Sequence, residues 1–187
     1  MYGRAVNARS TVRARRSKGN AALNLYLVRH AAAMERDPVA WPVDAARPLT
    51  AEGAERARRA ARGLRLLVPH VDRVLSSPYA RAWATARILH EETGWPEPES
   101  CLPLTSPDYE GVLAAIAKRP GLRAVGLVGH EPHLSGLAAW LLAGAGPPVT
   151  IEMKKGAVAH IEVGAPTPGT AAVLRWLLPP RVLRRLA

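Results

Sequence analysis

Short apolar runs alternate along this chain with longer stretches in which apolar residues recur every three or four positions. The run Leu25 to Val28 in "LNLYLVRH" is rich in strand formers and stops abruptly at Arg29-His30, as a buried strand does. From Thr50, a suitable N-cap, the pattern predicts a helix to about Leu67. Ala54, Ala57, Ala61, Leu64 and Val68 fall on one stripe, with Arg58, Arg59, Arg62 and Arg65 largely off it. "DRVLSS" predicts a second strand, Ser77-Pro78 a cap and first turn, and the residues through Tyr79, Trp83, Ala86 and Leu89 a second helix. A weaker helix is expected near Asp108 to Lys118. "AVGLVGH" predicts a third strand, again ending on a histidine, and "EPHLSGLAAWLLAG" a helix that stops at Gly144 and Gly146. Two strands, "AVAHIEV" and "AAVLRWL", follow. Strands alternating with helices predict an α/β fold, with a mostly parallel sheet covered on both faces.

Two segments break the pattern. Residues 31 to 49 contain Pro38, Pro42 and Pro48 without sustained periodicity, which describes a surface loop able to cover a site. A second Pro-rich stretch runs from Pro96 to Pro107.

Length and charge sharpen this picture. The 187 residues suit one domain of ordinary size, expected over residues 23–187 after a basic leader at 1–22. The formal net charge of +11 suggests an anionic partner, but its distribution argues otherwise. Arg4, Arg9, Arg13, Arg15, Arg16 and Lys18 lie in the leader, and Arg181, Arg184 and Arg185 at the C-terminal end. The body between is close to neutral, so the excess is read as solvated tails, and nucleic acid is not the expected partner. The Arg-rich, acid-free leader also has the composition of an organelle transit peptide. Cys101 is the only cysteine, which precludes an intramolecular disulfide and fits a reducing, cytoplasmic setting. No apolar run approaches the roughly 20 residues of a membrane helix.

The chemistry gathers where strands hand over to helices. In an open α/β sheet, ligands bind beyond the carboxyl ends of the strands. Arg29 and His30 follow the first strand, Arg81 lies in the first helical turn after the second, and His130 follows the third. The helix expected from about Glu131 would aim free N–H groups at the same edge. Two arginines, two histidines and a helix N-terminus describe a phosphate site. Arg offers planar paired donors to phosphoryl oxygens, and a neutral imidazole can attack phosphorus. His130 and His133 share a helical face, but no cysteine or carboxylate cluster completes a metal sphere around them, so no metal and no cofactor is expected.

These residues carry a resemblance to the histidine phosphatase superfamily, and within it to the small SixA-type phosphohistidine phosphatases. "LYLVRHAAA" resembles the family's nucleophile motif and "RPLTAEG" the segment entering its first helix. "VLSSPYARAWATARIL" resembles the second motif, "VGLVGHEPHLSGLAAWLL" the second-histidine motif and "MKKGAVAHIEV" the late strand. The resemblance implies a three-layer α/β/α sandwich, His30 as nucleophile, phosphate held by Arg29, Arg81 and His130, and no metal requirement. Ala31 stands where the larger family has Gly. The carboxylate that many members use to protonate the leaving group has no evident counterpart, and Glu131 is the nearest candidate for a catalytic acid. That gap favours phosphohistidine on a protein as substrate. The alternatives are a phosphatase of small phosphomonoesters, an idle module that binds a phosphorylated ligand, and an RNA-associated protein acting through its tails.

Overall fold

The computed structural model describes residues 22–144, 149–167 and 170–187. Residues 1–21 of the basic leader and Gly146 lie outside them. The first strand, β1 (Leu23–Arg29), is followed by α1 (Ala51–Leu67), β2 (Arg73–Ser76) and α2 (Ala80–Thr93). Next come β3 (Pro98–Ser100), α3 (Tyr109–Ala117), β4 (Ala124–Gly129) and α4 (His133–Ala143). β5 (Val158–Val163), β6 (Ala172–Leu178) and α5 (Pro180–Leu186) complete the order. The strands form one sheet in the order β3-β2-β4-β1-β5-β6. The pairings β3/β2, β2/β4 and β4/β1 are parallel, and β1/β5 and β5/β6 antiparallel. The architecture is the expected three-layer α/β/α sandwich.

A central strand buried on both faces needs apolar residues at every position, which is why β1 reads as a continuous run. Leu23, Leu25 and Leu27 enter one core with Leu113 and Ile116 of α3 and Leu134 and Leu137 of α4. Tyr26 and Val28 enter the other, with Ala61 and Leu64 of α1, Ala86 of α2 and Leu183 of α5. The largest fully buried side chain of that second core is Trp95, whose indole N–H donates to the Val68 carbonyl at 3.0 Å. Thr50 caps α1 by accepting from the Gly53 N–H at 2.9 Å.

Several expectations are corrected. The C-terminal end is not a solvated tail. Its residues form α5, whose Leu183 is 1% exposed against α1. A Cβ on Gly63 of α1 would stand 1.9 Å from the Leu183 carbonyl oxygen, so the two helices touch backbone to backbone. Pro180 suits a helix start, but so short a helix gains its stability from tertiary packing rather than from its own pattern. On α1 the buried set is Gly53, Ala60, Ala61, Gly63 and Leu64, while Ala54 and Ala57 are only half-buried. Packing against both α2 and α5 turns that face away from the expected stripe. The Pro-rich stretch holds a three-residue edge strand, β3, where Pro98 is tolerated because edge positions do not all donate. Helix α2 starts after Tyr79 without a side-chain cap, and α4 starts at His133 rather than near Glu131.

Candidate active site

Parallel pairing aligns Arg29 of β1 with Gly129 of β4, and Ser76 of β2 with Val128. His30, His130 and Ser77 therefore leave three neighbouring strands at one sheet edge. The two imidazoles face each other with ring centroids 5.1 Å apart. His30 is 6% exposed, Arg81 6% and His130 5%, so the charges and lone pairs of the site act with little solvent between them.

The proton on His30 can be located from its partner. Nδ1 lies 2.7 Å from the Ala31 carbonyl oxygen, which can only accept, so Nδ1 carries the hydrogen and Nε2 the lone pair. Burial is the largest cause that pulls the His30 pKa down to about 4. The Ala31 carbonyl opposes it, and Arg81, Arg29 and Arg47 add to it. The ring is neutral at physiological pH.

His130 is held by a side chain. Its Nε2 lies 2.8 Å from the Ser77 hydroxyl, which also accepts from the Tyr79 N–H at 3.3 Å. With the Ser77 hydrogen directed at Nε2, the His130 proton lies on Nδ1. That Nδ1 is buried and has no partner among the described residues. Burial, followed by Arg81, His30 and His133, pulls the His130 pKa to about 3, with Asp44 opposing. The Tyr79 ring packs against His130 at 5.0 Å and beneath the Arg81 guanidinium at 5.3 Å.

The arginines are anchored at their tips. Arg29 donates from Nη1 to the Met153 carbonyl at 2.5 Å. Arg81 donates from Nη1 to the Asp44 carbonyl at 2.8 Å and pairs Nη2 with the Asp44 carboxylate at 3.0 Å. The Nε of each is buried with no partner among the described residues. The two guanidinium Nε–H groups and His130 Nδ1 thus form a buried set suited to an anion with several oxygens.

Asp44 and Ser77 are the site residues that sequence reasoning missed. Asp44 sits in a 3₁₀ turn, Asp44–Ala46, of the loop after β1. Its other oxygen accepts from Arg47 Nε at 2.9 Å. Partial burial alone would raise the Asp44 carboxyl, but its bond to Arg47 and the charges of Arg81 and Arg47 hold it below its ordinary range. The sequence signal was the "VDAARPLT" segment, read only as a loop. Ser77 was read as a helix cap and instead holds His130. The loop is fixed to the body where Thr50 N–H donates to the Ala32 carbonyl at 3.1 Å. A Cβ on Gly53 would stand 2.1 Å from that same oxygen, so only glycine permits the approach. Thr85 of α2 links two functional segments: its hydroxyl accepts from the Ala31 N–H at 3.1 Å and donates to the Arg81 carbonyl at 2.7 Å.

Glu131, next to His130, is engaged by Ser135. Its carboxylate accepts from the Ser135 N–H at 3.2 Å and the Ser135 hydroxyl at 2.5 Å, at the start of α4. His133 adjoins His130 without sharing a ligand set, and among the described residues no three His, Cys, Asp or Glu side chains cluster as a metal site would require. No helix among the described residues is long and apolar enough to cross a membrane.

The family profile "Histidine phosphatase superfamily (branch 1)" matches residues 25–102, the segment that carries Arg29, His30 and Arg81. An uncharacterized protein of Picosynechococcus sp. is 35% identical over 116 residues, which cover 60% of this chain and 68% of that protein. The tungstate complex of the protein histidine phosphatase SixA superposes with a TM-score of 0.71 at 25% identity, covering 86% of this chain and 99% of that one. The putative phosphohistidine phosphatase SixA of Nakamurella superposes with a TM-score of 0.71 at 26% identity, covering 87% and 99%. The chain belongs to the histidine phosphatase superfamily and is a phosphatase.

Proposed function

We propose that this phosphatase removes the phosphoryl group from phosphohistidine on a protein, through a covalent intermediate on His30. In the first displacement the His30 Nε2 lone pair attacks phosphorus, and the bond from phosphorus to the substrate imidazole breaks. The departing ring takes its proton from solvent. In the second, water attacks the phosphohistidine, the His30 nitrogen recovers its lone pair, and inorganic phosphate leaves. Arg29 Nε, Arg81 Nε and His130 Nδ1 stabilise the phosphoryl oxygens in both steps, as fixed donors do for charge that develops in a dry pocket. Their positive charge and dipoles serve where a bound cation otherwise would, so turnover is expected to continue in EDTA.

The observation that carries the substrate assignment is the engagement of both neighbouring carboxylates. Asp44 is held ionised by Arg47 and Arg81, and Glu131 is bonded to Ser135. Neither is poised to protonate an alkoxide as it leaves. A phosphoramidate has the better leaving group and needs such an acid least.

The test is kcat/KM on a freshly phosphorylated phosphotransfer domain, compared with sugar phosphates and phosphoserine at equal pH. A higher value on the phosphohistidine protein is expected, with Glu131→Gln retaining activity. A clear preference for a small phosphomonoester, with activity lost in Glu131→Gln, would overturn the reading and make Glu131 the general acid.

A further inference from the structure

The turn before β5 is built against the nucleophile. Met153 gives its carbonyl to Arg29 Nη1, and the Gly156 N–H donates to the carbonyls of Arg29 at 3.1 Å and His30 at 3.0 Å. The Ala157 N–H closes the turn by donating to the Lys154 carbonyl at 2.8 Å. Its third position, Gly156, has φ +77°, which glycine adopts without strain. Lys154 and Lys155, the first two residues of the turn, are exposed. A fixed backbone thus displays two flexible cations beside the catalytic pocket. Arg184 of α5 borders the same recess, which Arg29 also borders and in which Glu152 is the one acid. Lys154, Lys155 and Arg184 make no ion pair among the described residues, whereas Arg56, also there, is paired with Glu52. On the other flank, the loop of residues 31–49 reaches Arg81 through Asp44. It carries Glu35, Asp37 and Asp44 beside Arg36 and Arg47, so the excess of positive charge is one-sided.

Like charges gathered without a neutralising acid repel one another, and an acidic partner relieves that repulsion as it docks. Exposed lysines are hydrated point charges on flexible stems, suited to encounter and orientation rather than to phosphoryl transfer. Resting on the phosphohistidine reading above, we propose that this flank recruits the substrate protein. Lys154, Lys155 and Arg184 form a docking surface for acidic residues that lie beside its phosphohistidine. A small phosphomonoester has no side chains to meet them there. Helix α5, packed on α1, brings Arg184 to the flank, so part of the C-terminal charge belongs to a built surface.

The experiment compares kcat/KM of the full chain on two phosphohistidine peptides of equal length at equal pH. In one the phosphohistidine is flanked by aspartate and glutamate, in the other by serine and asparagine. At low salt the acidic peptide should be favoured at least about tenfold, mainly through KM, since charges at the edge of an interface act on association. That advantage should vanish as salt is raised from about 0.01 M to about 1 M, which shortens the screening length from about 30 Å to about 3 Å. Lys154→Glu/Lys155→Glu should erase it, Lys154→Arg/Lys155→Arg should keep it, and Arg184→Glu should weaken it. Because the readout is the ratio between two peptides, a variant that is merely less active or partly unfolded does not move it. Equal kcat/KM on the two peptides, or an advantage that survives the lysine reversal or high salt, would overturn the docking surface alone. Turnover of sugar phosphates with neither peptide hydrolysed would overturn the phosphohistidine reading and the docking surface with it.

Discussion

His30 and His130 end adjacent parallel strands, yet they are held in different ways. The His30 ring is fixed by a backbone carbonyl one residue away, so its tautomer follows from local chain geometry and survives any side-chain change nearby. His130 is fixed by the Ser77 hydroxyl, delivered from the end of β2. In the proposed reaction the nucleophile thus has the arrangement that mutation can least disturb, and the donor has one that depends on a distant residue. Both rings are neutral for the same leading reason, burial, reinforced by neighbouring positive charge.

The largest expected effect separates the two rings outright. His30→Ala should lower turnover by at least about 10², the scale of losing a catalytic group, and abolish a radiolabelled phosphoenzyme. His130→Ala should slow labelling but leave the label on the protein. A label that survives His30→Ala would reverse their roles. Arg29→Ala and Arg81→Ala should each raise the barrier by on the order of 3 kcal/mol, as loss of a preorganised donor does, with little change in thermal stability. An unfolded variant with normal activity per folded molecule would instead mark that arginine as structural.

A finer contrast uses the partners. Ser77→Ala removes one neutral hydrogen bond, typically about 1 kcal/mol, so kcat should fall about five- to tenfold. Unchanged kcat would mean that packing against Tyr79 alone orients His130. Loss of the Asp44 clamp should act through Arg81: Asp44→Asn should raise KM more than it lowers kcat, and Arg81→Ala should erase the difference between the two backgrounds.

The smallest effect is on stability against pH. Unfolded histidines take up protons below about pH 6.5, whereas His30 and His130 resist protonation until about 4 and about 3. The unfolded state therefore binds more protons across that window, and stability is lost as pH falls through it. Denaturant unfolding at about pH 7.5 and pH 5 should show a steeper decline in the wild type than in His30→Asn or His130→Asn. Equal slopes would mean that these rings titrate normally.

The four motif residues were legible because each ends a strand or opens a helix, and strand ends are fixed by local pattern. Their partners were not. Asp44 reaches Arg81 across 37 residues, Ser77 reaches His130 across 53, Thr85 reaches Ala31 across 54, and the Met153 carbonyl reaches Arg29 across 124. Nothing in the spacing of a serine or a loop aspartate announces such a partner. For Ser77 the local signal pointed to a different role, since Ser-Pro before a helix also suits a cap.

The sequence by itself determined the alternation of strands and helices, the continuous apolar run of β1, and the placing of Arg29, His30, Arg81 and His130 at one sheet edge. Apolar periodicity and strand ends are properties of neighbouring residues. Only the tertiary structure decided that the basic C-terminal end is α5, that a Pro-rich stretch supplies an edge strand, and that Glu131 bonds to Ser135. It also decided which nitrogen of His30 carries the proton. Those outcomes depend on burial and on hydrogen-bond partners brought together by the sheet and the helices packed on it, and such partners have no fixed spacing along the chain.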